Sequence, residues 1–301
     1  MKIRHIILAS LVSAIWGFSF IAVSIGLRGC PPLLLAAMRF LIVFLLGAVF
    51  SRRPALPAAL YCRAGLCLGV VQFGCMFSAI RLGVPAGIVS VIAQLQVFMT
   101  LLLSSVVLRE RSSTLQKCMM ALALLGISML AYVRFAAALP IAPLMLAVLG
   151  AAGFAWGNIE LKRAGKVDMF AFTIWMSAVP PIPLLLLSVV SEGGLVALTH
   201  AIRSLTWSSV LALLFLSILG TLFSLGTWAK LMTLYPTSVV APFYLISPVF
   251  GIFGGWIVLG ERYDALSITS AGLIIVALVG NTYGAKLIQY HTSSDKVTEN
   301  I

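Results

Sequence analysis

The chain has 301 residues, 61% hydrophobic and only 9% charged, with a mean hydropathy of +1.13. Soluble domains carry roughly a quarter charged residues, so most of this surface has to face lipid, and disordered, collagen-like, coiled-coil and disulfide-stapled secreted classes are excluded together. The net charge of +12 does not indicate nucleic acid, which needs a continuous basic face with polar support; here the basic residues sit singly or in small groups between apolar runs.

The first element starts after Lys2 and Arg4 and stays apolar to Leu27. That is longer than the roughly 7–15 residues of a signal-peptide core, so it reads as an uncleaved span. A spanning helix needs ~20 mostly apolar residues. Ten segments meet that need: 5–27, 31–50, 64–82, 86–108, 118–136, 143–162, 169–190, 208–231, 237–259 and 266–285. The longest connection, 191–207, leaves no room for an extramembrane domain, and the stretch after Lys286 is a polar tail.

With a cytoplasmic N-terminus, the inner segments hold fourteen Lys and Arg: Lys2, Arg4, Arg52, Arg53, Arg63, Arg109, Arg111, Lys117, Lys162, Arg163, Lys166, Lys230, Lys286 and Lys296. The outer connections hold five, Arg28, Arg81, Arg134, Arg203 and Arg262, and Arg39 lies inside a span. This bias puts both termini in the cytoplasm.

The sequence also repeats. Trp16-Gly17 returns as Trp156-Gly157, 140 residues on; Pro85 returns as Pro236, 151 residues on. At that second offset Val107-Leu108-Arg109-Glu110-Arg111 returns as Val258-Leu259-Gly260-Glu261-Arg262, Leu115 as Leu266 and Tyr132 as Tyr283. Five spans per repeat is an odd number, so the halves insert with opposite orientation. The predicted fold is an all-α polytopic membrane protein with ten transmembrane helices as two inverted five-helix repeats. The first repeat is 1–136, the second 137–285, and 286–301 is a cytoplasmic tail. Such repeats place a transport site near the midplane between the halves.

Polar groups inside spans are costly and face a partner or a watery cavity. Arg39 lies ~12 Å of helical rise beyond Pro31, and no acid shares a clear depth with it. It either anchors the fold on backbone carbonyls or binds a substrate carboxylate. Gln72, Gln94 and Gln96 form an amide group; residues two apart point ~200° apart on a helix, so Gln94 and Gln96 cannot share a cavity. The 151-residue offset matches Gln96 to Ser247, which favours that pair for the central face. The alternative for each glutamine is interhelical bonding. Trp16 and Trp156 are mid-span and could wall the pathway and contact an amino group, or fill the core. Asn158 offers a donor and an acceptor to a zwitterion, and Tyr244 sits one turn before Pro248, an expected helix break. Gly150, Gly153, Gly157, Gly251 and Gly255 make small faces for close packing, and Pro180, Pro181 and Pro183 bend the seventh segment. Glu160 either pairs with Arg163 at i+3 or serves as a titratable coupling group, which leaves protons open as a coupling ion.

The eight acids form no catalytic constellation, and no phosphate-cradling glycine loop or metal-ligand spacing occurs. The five cysteines lack any Cys-x-x-Cys, so they read as inert thiols. No cofactor, metal or nucleic acid is expected, and monomer and homodimer stay open.

Certain segments carry a resemblance: AIWGFSFIAVSIGL in the first span, PPLLLAAMRF entering the second, QFGCMFSAIRLGVPAGIVSVIAQLQVF across the third and fourth, AWGNIELKR in the sixth, VVAPFYLISPVFG in the ninth, and VLRERSS with its counterpart VLGERYD. The chain resembles, over about 5–285, the EamA-type members of the drug/metabolite transporter superfamily, nearest the O-acetylserine/cysteine exporter group. One departure is the charged Glu160, where that group's pattern has an amide. The resemblance implies a secondary transporter that exports small amino acids or amino-acid-derived metabolites by alternating access, with a small, zwitterionic substrate and the lipid bilayer as partners. Uptake or hydrophobic-drug efflux are the rivals among carriers. A non-transporting scaffold is the rival of another class, and the absent acid/base set disfavours an enzyme.

Overall fold

The computed structural model describes residues 1–107, 141–235, 237–260 and 262, with scattered positions in 114–129 and 265–280. The fifth and tenth predicted segments, the two Glu-Arg turns except Arg262, Pro236, Tyr132, Tyr283 and the tail 286–301 therefore lie wholly or largely outside the described residues. Among the described residues the regular structure is helical. The elements are α1 (Ile3–Gly26), α2 (Pro32–Ala48), α3 (Ala58–Arg81), α4 (Ala86–Ile92), α5 (Leu95–Val107), α6 (Ile141–Ala164), α7 (Met169–Met176), α8 (Pro181–Ser191), α9 (Gly194–Arg203), α10 (Trp207–Leu234), α11 (Thr237–Val240) and α12 (Ser247–Leu259).

Six helices among the described residues are long and apolar enough to cross a membrane: Ile3–Gly26, Ala58–Arg81, Ala86–Ser104, Ile141–Ala164, Met169–Ser191 and Trp207–Leu234; Pro32–Ala48 and Val249–Leu259 are shorter apolar helices. Phe50, Val190, Val196 and Trp207 are among the large apolar side chains left exposed on the outside. A water-facing surface does not tolerate so much exposed apolar area; a lipid-facing one requires it. The chain is a multi-pass membrane protein.

Helix ends are satisfied where the chain turns. Asp168 Oδ1 accepts from the backbone N–H groups of Phe170 and Ala171 at 3.0 and 3.3 Å, capping α7, and Thr206 Oγ1 accepts from Ser209 N, capping α10. These are the orphan donors of a helix N-terminus. Glu192 caps α2 from outside it: Oε1 accepts from Leu33 N at 2.8 Å and Oε2 from Leu34 N at 3.3 Å. The connection 191–207 contains the short helix α9. Its Leu195, Val196 and Ile202 are exposed beside His200 and Arg203, the pattern of a helix lying along a membrane surface.

The connections sort to two ends. At one, Lys2 N and His5 meet Tyr235 Oη, and Trp175 Nε1 donates to Ser51 O. At the other, residues 27–33, 78–82 and 191–204 enclose an open vestibule with Arg28, Arg81, Glu192 and His200 in its wall.

Packing brings α1 against α12 and α10, and α6 against α5 and α3, while α2 lies on α8. Inside α3, Leu66–Gly74 is wound as a π-helix, and inside α10, Phe215–Phe223 is wound the same way. Each is nine residues long and the two lie 149 positions apart. The helical path also changes between α4 and α5 at Ala93-Gln94, and between α11 and α12, where Ala241–Ile246 is a 3₁₀ helix carrying Tyr244. The proline-rich seventh segment divides into α7 and α8 as its sequence implies, with Pro180 packed on Gly69 of the π-segment.

Candidate functional site

A narrow cavity of about 30 Å³ lies in the middle of the bundle, lined by Trp16 and Ser19 of α1, Arg39 of α2, Gln72 and Phe73 of α3, Phe154 of α6, Gly220 of α10, and Tyr244. Four residues singled out from sequence, Trp16, Arg39, Gln72 and Tyr244, therefore meet in one place although they span more than 200 positions of chain.

Arg39 is only 1% exposed. Its Nε donates to Thr221 Oγ1, which in turn donates to the Leu216 carbonyl at 3.0 Å within the π-segment of α10. Its Cζ lies 4.0 Å from the centroid of the Phe73 ring, a stacking that a planar guanidinium suits better than an ammonium. Nη1 and Nη2 have no hydrogen-bond partner in the protein. Buried polar groups are paired almost without exception, so two unpaired charged donors beside a cavity mark a place for an acceptor. Gly220 keeps that place open: a Cβ there would lie 3.2 Å from Nη2 and 3.1 Å from Ser19 Oγ.

Trp16 closes the other side. Its Nε1 donates to Gly220 O at 3.0 Å, and its ring meets those of Phe154, Trp228 and Tyr244 with centroids 5.7, 5.1 and 5.2 Å away. Gln72 is 5% exposed, and its Oε1 has no partner in the protein.

The remaining predicted site residues lie elsewhere. Trp156 is 40% exposed and faces outward, so the expectation that it walls the site is corrected. Helical phase explains this: Phe154 and Asn158 share the buried face of α6, and Trp156, two residues from each, points ~200° away. Phe154 supplies the aromatic wall instead. Gln96 and Asn158 are bonded to each other, with Asn158 Nδ2 donating to Gln96 Oε1 at 3.0 Å and to Thr100 Oγ1 at 3.2 Å; both are buried but neither lines the cavity. Ser247 is buried with its Oγ unpartnered, at the contact of α12 with Gly17 of α1, and is likewise outside the lining. Gln94 is also buried, Nε2 donating to Ser90 O; the break at Ala93-Gln94 removes the regular phase that set the two glutamines apart.

Glu160 is fully buried near the end of α6, away from the cavity. Oε1 accepts from Arg163 Nη1 at 2.8 Å and Oε2 from Arg63 Nε at 3.0 Å. The i+3 pair with Arg163 is present, and the second arginine ties α6 to α3. Among the described residues no His/Cys/Asp/Glu group could hold a metal ion. The described cysteines are unbridged; burial and the neighbouring Glu192 charge push the Cys30 thiol up to about 12.

Thr221, Gly220, Phe73, Phe154 and Trp228 were not anticipated. Thr221 stands to the π-segment of α10 as Gln72 stands to that of α3, a relation that only the structure brings out. The 149-residue offset that relates them differs from both offsets visible in the sequence.

Comparison with known proteins agrees with this architecture. The EamA-like transporter family matches twice, over residues 3–132 and 141–283. The "probable amino-acid metabolite efflux pump" of Salmonella typhimurium is 33% identical, covering 93% of this chain and 95% of its own. The protein described in the same words from Escherichia coli K12 is 32% identical over the same shares. A solved crystal structure with 17% identity superposes with a TM-score of 0.69, covering 96% of this chain and 99% of its own, which shows a shared fold. With nearly its whole length matched by the family and by relatives at this identity, the chain belongs to the EamA-like transporter family.

Proposed function

We propose that this transporter is a ten-helix inner-membrane carrier of two inverted repeats that exports small amino acids or amino-acid-derived metabolites by alternating access. The observation that carries the reading is Arg39. Its guanidinium is buried at the centre of the bundle, oriented by Thr221 and Phe73, and its Nη1 and Nη2 are left free toward a cavity. Two parallel N–H donors match the two oxygens of a carboxylate. The aromatic wall of Trp16, Phe154 and Tyr244 can face an ammonium or an apolar side chain.

Several findings support the repeat. The family matches twice, near the expected halves. Both π-segments and both helix breaks recur, and α1 relates to α12 and α10 as α6 relates to α5 and α3. The relatives named as efflux pumps for amino-acid metabolites support the substrate class and the direction. The cavity of about 30 Å³ has room for about one or two waters, so a substrate enters only when the walls part, as alternating access demands.

Purified protein in proteoliposomes, offered labelled L-alanine, L-serine and L-cysteine with and without a pH gradient, tests the reading. Counterflow of at least one is expected. In Arg39→Lys, competition by amino acids should weaken by roughly ten-fold or more, the loss of a charge-assisted hydrogen bond, while carboxyl-amidated analogues change little. A large fall in thermal stability with an unchanged acid-to-amide ratio would make Arg39 a structural residue only.

A further inference from the structure

We propose that Gln72 reads the α-ammonium group of the substrate, so that the site takes free α-amino acids in preference to 2-hydroxy or N-acylated acids. This rests on the reading that Arg39 takes a carboxylate, and adds to it the group that tells one carboxylate from another.

The argument starts from what the cavity leaves unsatisfied. Among the side chains that line it, the buried atoms without a hydrogen-bond partner are Arg39 Nη1, Arg39 Nη2 and Gln72 Oε1. Two are cationic donors and one is a neutral acceptor. A ligand that satisfies all three presents two acceptors on one group and a donor on another close by. A carboxylate with an ammonium on the adjacent carbon has that pattern. A 2-hydroxy acid offers a weaker, uncharged donor, and an N-acyl group replaces the ammonium with a bulkier amide. Leaving buried acceptors unpaired is what lets a site reject an analogue that lacks the donor.

The placement of Gln72 makes it suited to discriminate. It lies in the π-segment of α3, a winding that recurs at functional sites. The backbone there is held from behind by two glycines of α6: a Cβ at Gly150 would lie 2.9 Å from Gln72 O, and one at Gly153 would lie 3.0 Å from Gln72 N. A side chain on so fixed a backbone has little freedom to retreat from a poor ligand. The same winding in α10 carries Thr221, which holds Arg39. The two π-segments thus present the two ends of one head group, Gln72 directly and Thr221 through Arg39.

The experiment uses the full chain in proteoliposomes. Whichever of L-alanine, L-serine and L-cysteine the wild type carries is competed by the unlabelled amino acid, its 2-hydroxy counterpart (L-lactate, L-glycerate or 3-mercaptolactate) and its N-acetyl form. The wild type should prefer the free amino acid by roughly ten-fold or more. Gln72→Leu should bring that ratio to within about three-fold while leaving the acid-to-amide preference set by Arg39 in place. Gln72→Glu, which keeps an acceptor at the same reach, should retain the preference for the ammonium and serves as the control should Gln72→Leu fold poorly. An unchanged ratio in folded Gln72→Leu, no preference in the wild type, or loss of the ammonium preference in a folded Gln72→Glu overturns the assignment of Gln72. Failure of the wild type to move any carboxylate-bearing probe overturns the carrier reading itself, and a wild type that moves only the hydroxy acids overturns the Gln72 assignment alone.

Discussion

An arginine 1% exposed inside a membrane protein carries a large desolvation cost, and the way Arg39 meets it decides what else the site can do. Thr221 takes one of its donors and Phe73 takes its face. The fold therefore holds the side chain without occupying its fork. Thr221→Val keeps the shape and removes the acceptor, so it should cost ~1–3 kcal/mol of stability and weaken carboxylate competition, whereas Thr221→Ser should restore both; thermal unfolding and counterflow measure the two effects. At Trp156 the expectation is the opposite. Because that ring faces outward, Trp156→Ala should change transport less than about two-fold, as for a surface substitution away from special features, while Trp16→Phe, which loses the bond to Gly220 O, should lower it more. A transport defect in Trp156→Ala as large as that in Trp16→Phe would put the tryptophan back in the pathway. Arg39, Gln72, Trp16 and Tyr244 were legible in the sequence because a charge, an amide or a large ring stands out in an apolar run. Thr221 and Gly220 were not, since threonine and glycine are common in spans, and Trp156 was misread because its phase relative to Asn158 was not counted.

At the level of elements, glycine and winding set how near the helices come. Gly17 lets α1 lie on α12, where a Cβ would stand 2.5 Å from Ser247 O and 2.6 Å from Phe250 Cβ. Gly150 and Gly153 do the same for α6 on α3. The small-residue faces were visible in the sequence, as was the bend at Pro180. The π-segments were not: neither contains proline, and their residues are those of any apolar helix. Amphipathic α9 lies in the connection 191–207, where it is too short to span and so falls outside a search for spanning segments. Gly153→Ala should be felt at Gln72, costing ~1–3 kcal/mol by overpacking and blurring the discrimination between amino and hydroxy acids. Arg63 of α3 also ties to α6 through Glu160, which Arg163 holds from its own helix. Glu160→Gln should loosen that end, lowering thermal stability. We propose that this carboxylate is a clamp rather than a coupling group, so a pH-gradient dependence of transport, where the wild type shows one, should survive Glu160→Gln. Its disappearance in a folded variant would assign coupling to Glu160.

For the whole molecule, the proposed inversion makes a claim that a single side view cannot satisfy. The connection after α2 and the connection after α8 occupy equivalent places in the two proposed halves, 149 positions apart at Ala55 and Ser204. Ala55 lies among Arg52, Arg53 and Asp168, the end rich in basic residues. Ser204 lines the vestibule at the opposite end with Arg28, Arg81 and His200. If the halves were parallel, equivalent connections would emerge on one side; inverted, they emerge on opposite sides, with the basic end in the cytoplasm. Both positions are exposed, so a cysteine at either is reachable without disturbing the core. In a cysteine-free background, Ser204→Cys should react with an impermeant thiol reagent in intact cells, and Ala55→Cys only after the membrane is permeabilised. Labelling of both in intact cells would remove the inverted repeat, and labelling of Ala55→Cys alone would keep the repeat but reverse the orientation drawn from the distribution of Lys and Arg.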